Sequence, residues 1–216
     1  MTTLAPPLRR TVLADRVFPR TLLMNIVLVL AGTSLVAVLA QLAIPMWPVP
    51  ITMQTFGVLL VGTVLGPLRG AISLALYLAL GVVGLPIFSE GKSGSLFALT
   101  SGGYIIGFVL AALVVGWLAK REWDRKVLGT IVSFLAGTVV IYLVGLPWLY
   151  FSLQNLGPAV WHGALGYGSV LAATIGAGLV PFLIGDALKA VVAGILLPGT
   201  WRLVNRADRK QESANQ

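Results

Sequence analysis

Residues 22–44 read LLMNIVLVLAGTSLVAVLAQLAI. No ionisable side chain interrupts them, and a hydrocarbon core takes roughly 20 helical residues to cross. The polar, basic segment Met1 to Arg20 precedes the run. A cleaved signal peptide would carry a shorter apolar core and a small-residue cleavage site, so this run reads as a retained first helix, about Leu22–Ala43. Five further spans follow at about Pro50–Leu65, Gly70–Gly84, Thr100–Ala119, Val127–Tyr150 and Pro181–Thr200. The runs are continuously apolar instead of alternating, which excludes an outer-membrane barrel. The fold class is therefore all-α: a polytopic membrane protein with six transmembrane helices. Its expected organisation is a basic cytoplasmic segment at 1–21, a membrane domain at 22–204 and a polar cytoplasmic tail at 205–216.

Composition agrees. The chain is 57% hydrophobic and only 10% charged, more apolar surface than a soluble domain of 216 residues can keep from water. It has no cysteine, which excludes disulfides and thiolate metal sites. The net charge of +8 looks at first like a nucleic-acid signal, but its placement fits membrane topology. Arg9, Arg10, Arg16 and Arg20 precede the first span, and Arg69 lies between the second and third. Lys120, Arg121, Arg125 and Lys126 lie between the fourth and fifth, and Arg202, Arg206, Arg209 and Lys210 follow the sixth. The other side holds Lys92, offset by Glu90. Positive residues collect on the cytoplasmic side, so both termini are inside, as an even number of spans requires.

The external connections are unusual. Ile44 to Thr52 is proline-rich and apolar, Leu85 to Leu99 is rich in Gly and Ser, and Tyr150 to Val180 is long and apolar. Spans two and three are short for a full crossing. Irregular backbone at membrane depth is tolerated where protein covers it or where it lines a cavity. The three connections are therefore expected to roof a site at the outer end of the bundle.

The last span carries Asp186 and Lys189 inside an apolar run from Pro181 to Pro198. Intramembrane charges are costly, so they pair or face a substrate pathway. Proline favours the first helical turn, which sets the helix start near Pro181, with Ser169–Gly178 as a separate short piece. The charges then sit roughly 7–12 Å below the outer end. Trp201 marks the inner interface. Small residues at four-residue spacing, Gly62/Gly66/Gly70 and Gly103/Gly107/Ala111, read as close-packing positions within the bundle. Ser34, Ala37, Ala40 and Ala43 on the first span fit internal packing or the docking of another membrane protein.

Several chemistries are excluded. There is no Gly-x-x-x-x-Gly-Lys-Ser/Thr loop, no His-Glu-x-x-His and no Gly-x-Ser-x-Gly. Asp186 has no acidic companion within the spans, and His162 is the sole histidine. An enzyme is not expected. An ion-coupled secondary carrier is the alternative transport reading, but no internal halves with matching broken helices are visible.

Val49-Pro50-Ile51-Thr52-Met53-Gln54-Thr55 resembles the first-loop signature of the BioY family, the biotin-specific substrate-binding (S) components of energy-coupling factor transporters. Gly84-Leu85-Pro86-Ile87-Phe88 and the following Gly/Ser stretch resemble its third loop. Gly102 to Phe108 resembles the start of its fourth helix, and Pro181 to Lys189 its last-helix signature. The matches lie in order from roughly Ile44 to Gly194. The resemblance implies a multi-pass protein of a prokaryotic plasma membrane that captures biotin from outside. It implies partnership with a transmembrane coupling protein and a pair of ATPases, and no nucleic acid and no cofactor beyond biotin as transported substrate. An S component for another small vitamin is the nearest alternative. The sequence departs from the family in the first helix, where Ala37 and Ala40 are spaced by three, in place of the Ala-x-x-x-Ala coupling motif. No arginine near the fourth helix stands ready for a carboxylate.

Biotin brings ureido N–H donors and a valerate carboxylate. Asp186 and Lys189, at i and i+3, share a helix face and offer a carboxylate to the ureido group and an ammonium to the valerate. Gln54 and Thr52 are candidates for the ureido oxygen. Tyr104, with Trp47 and Phe88, is a candidate cover for the ring system.

Overall fold

The computed structural model describes residues 11–214. Arg9 and Arg10 of the expected basic segment, and the last two residues of the expected tail, lie outside the described residues. The elements in order are the short helix α1 (Leu13–Val17), α2 (Leu22–Gln41), strands β1 (Ala43–Ile44) and β2 (Ile51–Thr52), α3 (Gln54–Leu65), α4 (Pro67–Val82), α5 (Gly102–Lys120), α6 (Val127–Leu156), α7 (Val170–Gly178) and α8 (Val180–Ala214). Helices α2, α3, α4, α5, α6 and α8 are the six expected spans. Helices α2, α5, α6 and the α7–α8 region are long and apolar enough to cross a membrane. Helices α3 and α4 have only 12 and 16 residues. At 1.5 Å per residue α3 is about 18 Å long, well short of a hydrocarbon core of about 30 Å. The antiparallel β1–β2 hairpin, pairing Ala43 with Thr52 and Ile44 with Ile51, fills the outer end above it.

Small residues set the helix spacing. A Cβ placed on Gly62 would come within 2.7 Å of the Ala112 Cα on α5, and one on Gly70 within 2.8 Å of the Gly62 Cα. Gly103 faces Trp148, and Gly107 lies 3.1 Å from the Ile141 backbone by the same measure. Close approach of this kind is how small residues hold membrane helices together, since lipid gives apolar faces no reason to leave it. On α2, Thr33 and Ala40 are buried within the bundle while Ser34 is exposed, so the small residues there divide between two faces.

The basic ends meet at one side. Arg69, at the start of α4, is paired with Asp15 and lies 3.2 Å from the Asn25 amide oxygen. Arg16 bridges to Asp208 on α8 at 2.6 Å. Helix α1 thus packs against α3 and α8 at this basic end of the bundle, with its own Leu13 and Ala14 and the preceding Val12 buried. The last helix runs past Pro198 and Thr200 to Ala214. Trp201 is no interfacial anchor. It is 4% exposed and donates its indole N–H to the buried Asp124 carboxylate at 2.6 Å. A tryptophan facing lipid headgroups would leave Asp124 without this donor.

The break between α7 and α8 falls at Leu179, where the backbone departs from helical geometry and the Phe182 N–H turns back to the Leu179 carbonyl. The short piece at residues 170–178 is therefore separate, as the sequence indicated. Along α8 the positions Phe182, Asp186, Ala190, Ala193 and Leu197 are buried, while Ile184, Leu188 and Ile195 are exposed. That spacing is one helical face turned inward and one left for lipid.

Candidate substrate-binding site

Asp186 and Lys189 lie six and nine residues into α8, roughly 9 and 14 Å below its outer end. Both side chains are largely buried, 6% and 12% exposed. They stand on the wall of a cavity of about 220 Å³ at the outer end of the bundle. Each of the five residues singled out in the sequence, Asp186, Lys189, Thr52, Gln54 and Tyr104, lines this cavity.

Their local roles differ. The Lys189 ammonium donates to the Thr52 carbonyl at 2.9 Å, the Thr55 hydroxyl at 2.7 Å and Asp186 Oδ1 at 3.2 Å. An ammonium has three N–H groups, so these three acceptors use all of them. Asp186 Oδ1 also accepts from Thr55 at 3.3 Å, and Oδ2 accepts from the Tyr142 hydroxyl. One acceptor position on Oδ2 stays open. The pair is neutral as a unit, which offsets the cost of burying either charge.

Thr52 and Gln54 form a second chain of hydrogen bonds. The Thr52 hydroxyl donates to Gln54 Oε1 and accepts from the Gln54 backbone N–H, each at 3.1 Å. Gln54 Nε2 donates to the Tyr77 hydroxyl at 2.6 Å, and Tyr77 donates to the Ile87 carbonyl at 3.0 Å. Gln54 therefore binds the start of α3 to α4 and to the loop at Ile87, and keeps one amide hydrogen in reserve. Tyr104 directs its hydroxyl to the Gly178 carbonyl at 2.9 Å and presents its ring edge-on to Tyr142, centroids 6.3 Å apart.

The cover comes from two loops. Met46 to Pro50 and Phe88, Ser89, Lys92 and Ala98 to Ser101 close the outer side. Thr100 donates from its hydroxyl to the Pro48 carbonyl and joins the two. Among the described residues none between 150 and 180 lines the cavity, contrary to the expected roof of three loops. Most of that connection is helical: α6 runs on to Leu156, a wide helical turn follows at Ala159–Ala164, and α7 packs beside α6. His162 is exposed there, Nδ1 3.0 Å from the Tyr167 carbonyl oxygen.

Sequence reasoning missed Thr55 and Tyr142. Thr55 stood inside the quoted first-loop stretch, one residue beyond Gln54. Tyr142 had a weaker signal: a phenol within a long apolar span needs a hydrogen-bond partner when buried. Lys92, counted in the sequence only as a charge offset by Glu90, is paired with Glu90 and also lines the cavity.

The sequence and fold match those of known proteins. The family model described as the BioY family matches residues 10–206. The chain is 36% identical over 165 residues to a biotin transporter BioY of Thermotoga maritima, covering 76% of this chain and 88% of the relative. It is 34% identical over 170 residues to a probable biotin transporter BioY of Pyrococcus horikoshii, covering 78% and 91%. Among solved structures it is similar to the S-component for biotin from an ECF-type ABC transporter, with a TM-score of 0.68, 27% identity, and coverage of 83% of this chain and 92% of that one.

Proposed function

The chain belongs to the BioY family, and from that premise we propose that it is the biotin-capturing component of an ATP-driven vitamin uptake transporter. One observation carries the reading to the residues: a buried, internally neutral Asp186–Lys189 pair on the cavity wall, with one carboxylate acceptor position unfilled. A ureido N–H meets that position on Asp186. Lys189, Thr55 and Tyr142 fix the carboxylate, so the ligand finds it already oriented. Such charge-assisted hydrogen bonds are the strong ones in a site of low polarity. The reserve amide hydrogen of Gln54 serves the ureido oxygen, and Thr52 positions Gln54. Tyr104, Trp47 and Phe88 enclose the ring system, Phe88 from a fully buried position and Trp47 from the exposed rim.

The work of moving biotin against a gradient lies elsewhere in this reading. The sequence holds no phosphate-binding loop, so the chain operates with a transmembrane coupling protein and a pair of ATPases, and is itself no enzyme. The test is the purified chain, alone, in lipid vesicles. It should bind labelled biotin at equilibrium and show no ATP-dependent accumulation. Accumulation driven by ATP in the lone chain overturns the division of labour, and absence of biotin binding overturns the assignment of substrate.

A further inference from the structure

The cavity has a second polar pole that the Asp186–Lys189 pair does not explain. Ser89 and Lys92 lie on its wall, in the loop that follows α4. Ser89 is 8% exposed, and its hydroxyl is buried with no hydrogen-bond partner. A buried hydroxyl left unpaired is costly unless something supplies the missing bond. Lys92 is paired with Glu90 at an exposed position, where such a pair contributes little and exchanges partners easily.

The loop is shaped to hold both groups in place. Glu90 and Gly91 adopt left-handed backbone conformations, φ 61° and 67°, unusual for a glutamate. The Phe88 N–H donates to the Lys92 carbonyl at 3.0 Å, and the Lys92 N–H to the Ser89 carbonyl at 3.2 Å, closing the turn. Gln41, at the end of α2, clamps it from outside. Its amide donates to the carbonyls of Ile87 and Phe88 at 3.3 and 3.2 Å, and its oxygen accepts from the Gly91 N–H at 3.1 Å.

Resting on the reading of the site as a biotin pocket, we infer that Lys92 and Ser89 receive the valerate carboxylate, and that Lys189 does not. The Lys189 ammonium has no N–H to spare: all three end on Thr52, Thr55 and Asp186. A ligand carboxylate placed there would displace one of them. At the other pole it meets an ammonium whose partner Glu90 takes only one of its three N–H groups, and a hydroxyl that lacks a partner. The cavity is then bipolar, an acceptor for the ureido group in the bundle and donors for the acid in the loop. It selects a ring system bearing an ionised tail over the same ring system capped as an amide.

The test compares biotin with biotinamide, which lacks the charge, on the purified full chain. The native protein should prefer biotin by about tenfold or more, the worth of a hydrogen bond to a charged group. Lys92→Met should lose most of that preference, weakening biotin while leaving biotinamide within about threefold. Ser89→Ala should lose part of it, and Lys92→Arg should keep it. Lys189→Met should weaken both ligands alike. Equal binding of the two ligands by the native chain overturns the inference, as does an undiminished preference in Lys92→Met or a preference lost selectively in Lys189→Met. A native chain that binds neither ligand overturns the biotin reading itself, and is distinguishable from all of these.

Discussion

The Lys189 ammonium lies 2.9 Å from the Thr52 carbonyl oxygen, so the last helix is fastened directly to the hairpin strand that precedes α3. The bond joins the cavity's charged wall to its cover.

Asp186→Asn keeps the shape of the side chain but leaves Lys189 without its counter-charge, and Lys189→Met leaves Asp186 unpaired. Each should weaken biotin binding by at least about 2 kcal/mol, roughly thirtyfold, because breaking a buried pair leaves one charge uncompensated. Equilibrium binding on protein that is folded by thermal melt decides it. Folded variants with native affinity would make the pair purely structural.

Tyr142→Phe removes the hydroxyl that donates to Asp186 Oδ2. The expected loss is about 1.5 kcal/mol in binding, roughly tenfold, with little change in melting temperature, since the ring still packs edge-on against Tyr104. Affinity unchanged from the native chain would remove Tyr142 from the site.

Gly62→Ala and Gly185→Ala add the same methyl group in two helices. At Gly62 the new Cβ would meet the Ala112 backbone at 2.7 and 2.8 Å, atoms that cannot swing aside. At Gly185 nothing lies within 4 Å. Overpacking should cost Gly62→Ala about 1–3 kcal/mol, a drop of about 2–4 °C in melting temperature per kcal/mol for a chain of this size. Gly185→Ala should melt at or slightly above the native temperature, as alanine is the better helix former. Equal melting of the two variants would refute the close packing of α3 against α5.

Asp124 lies in the turn between α5 and α6, where burial raises its carboxyl from 3.8 to about 6, opposed in part by the Trp201 hydrogen bond. The folded state then holds the proton more tightly than the unfolded state. Its contribution to stability is complete below about pH 4 and is lost as the pH rises through about 6. Asp124→Asn keeps an acceptor for Trp201 and removes the titration. Melting temperatures measured across that window should fall less steeply with rising pH in the variant than in the native chain. Parallel slopes would show that Asp124 does not titrate there.

Much of this was legible in the chain itself. The helices follow from long apolar runs, and the gathering of α1, the start of α4 and the end of α8 at one end from where the arginines lie. The candidate site's position follows from Asp186 and Lys189, because the cost of a charge in hydrocarbon is a property of the residue and its immediate neighbours in sequence. The short reach of α3 and α4, the close-packed glycines and the break before Val180 are local features too, set by turn chemistry and run length.

The partners of those charges were not legible. Tyr142 reaches Asp186 across 44 positions, and Lys189 reaches Thr52 across 137. Whether Trp201 faces lipid or the buried Asp124 could not be read from a tryptophan near a helix end. Nor could the sequence tell that the connection at 150–180 winds into helix beside α6 instead of covering the cavity. These outcomes depend on which helices lie side by side and at what rotation. Helix formation satisfies each segment's backbone hydrogen bonds within itself, so local sequence decides it. The pairing of side chains between helices is decided by close packing of small residues and by buried polar groups finding donors and acceptors, and those exist only once the bundle is assembled.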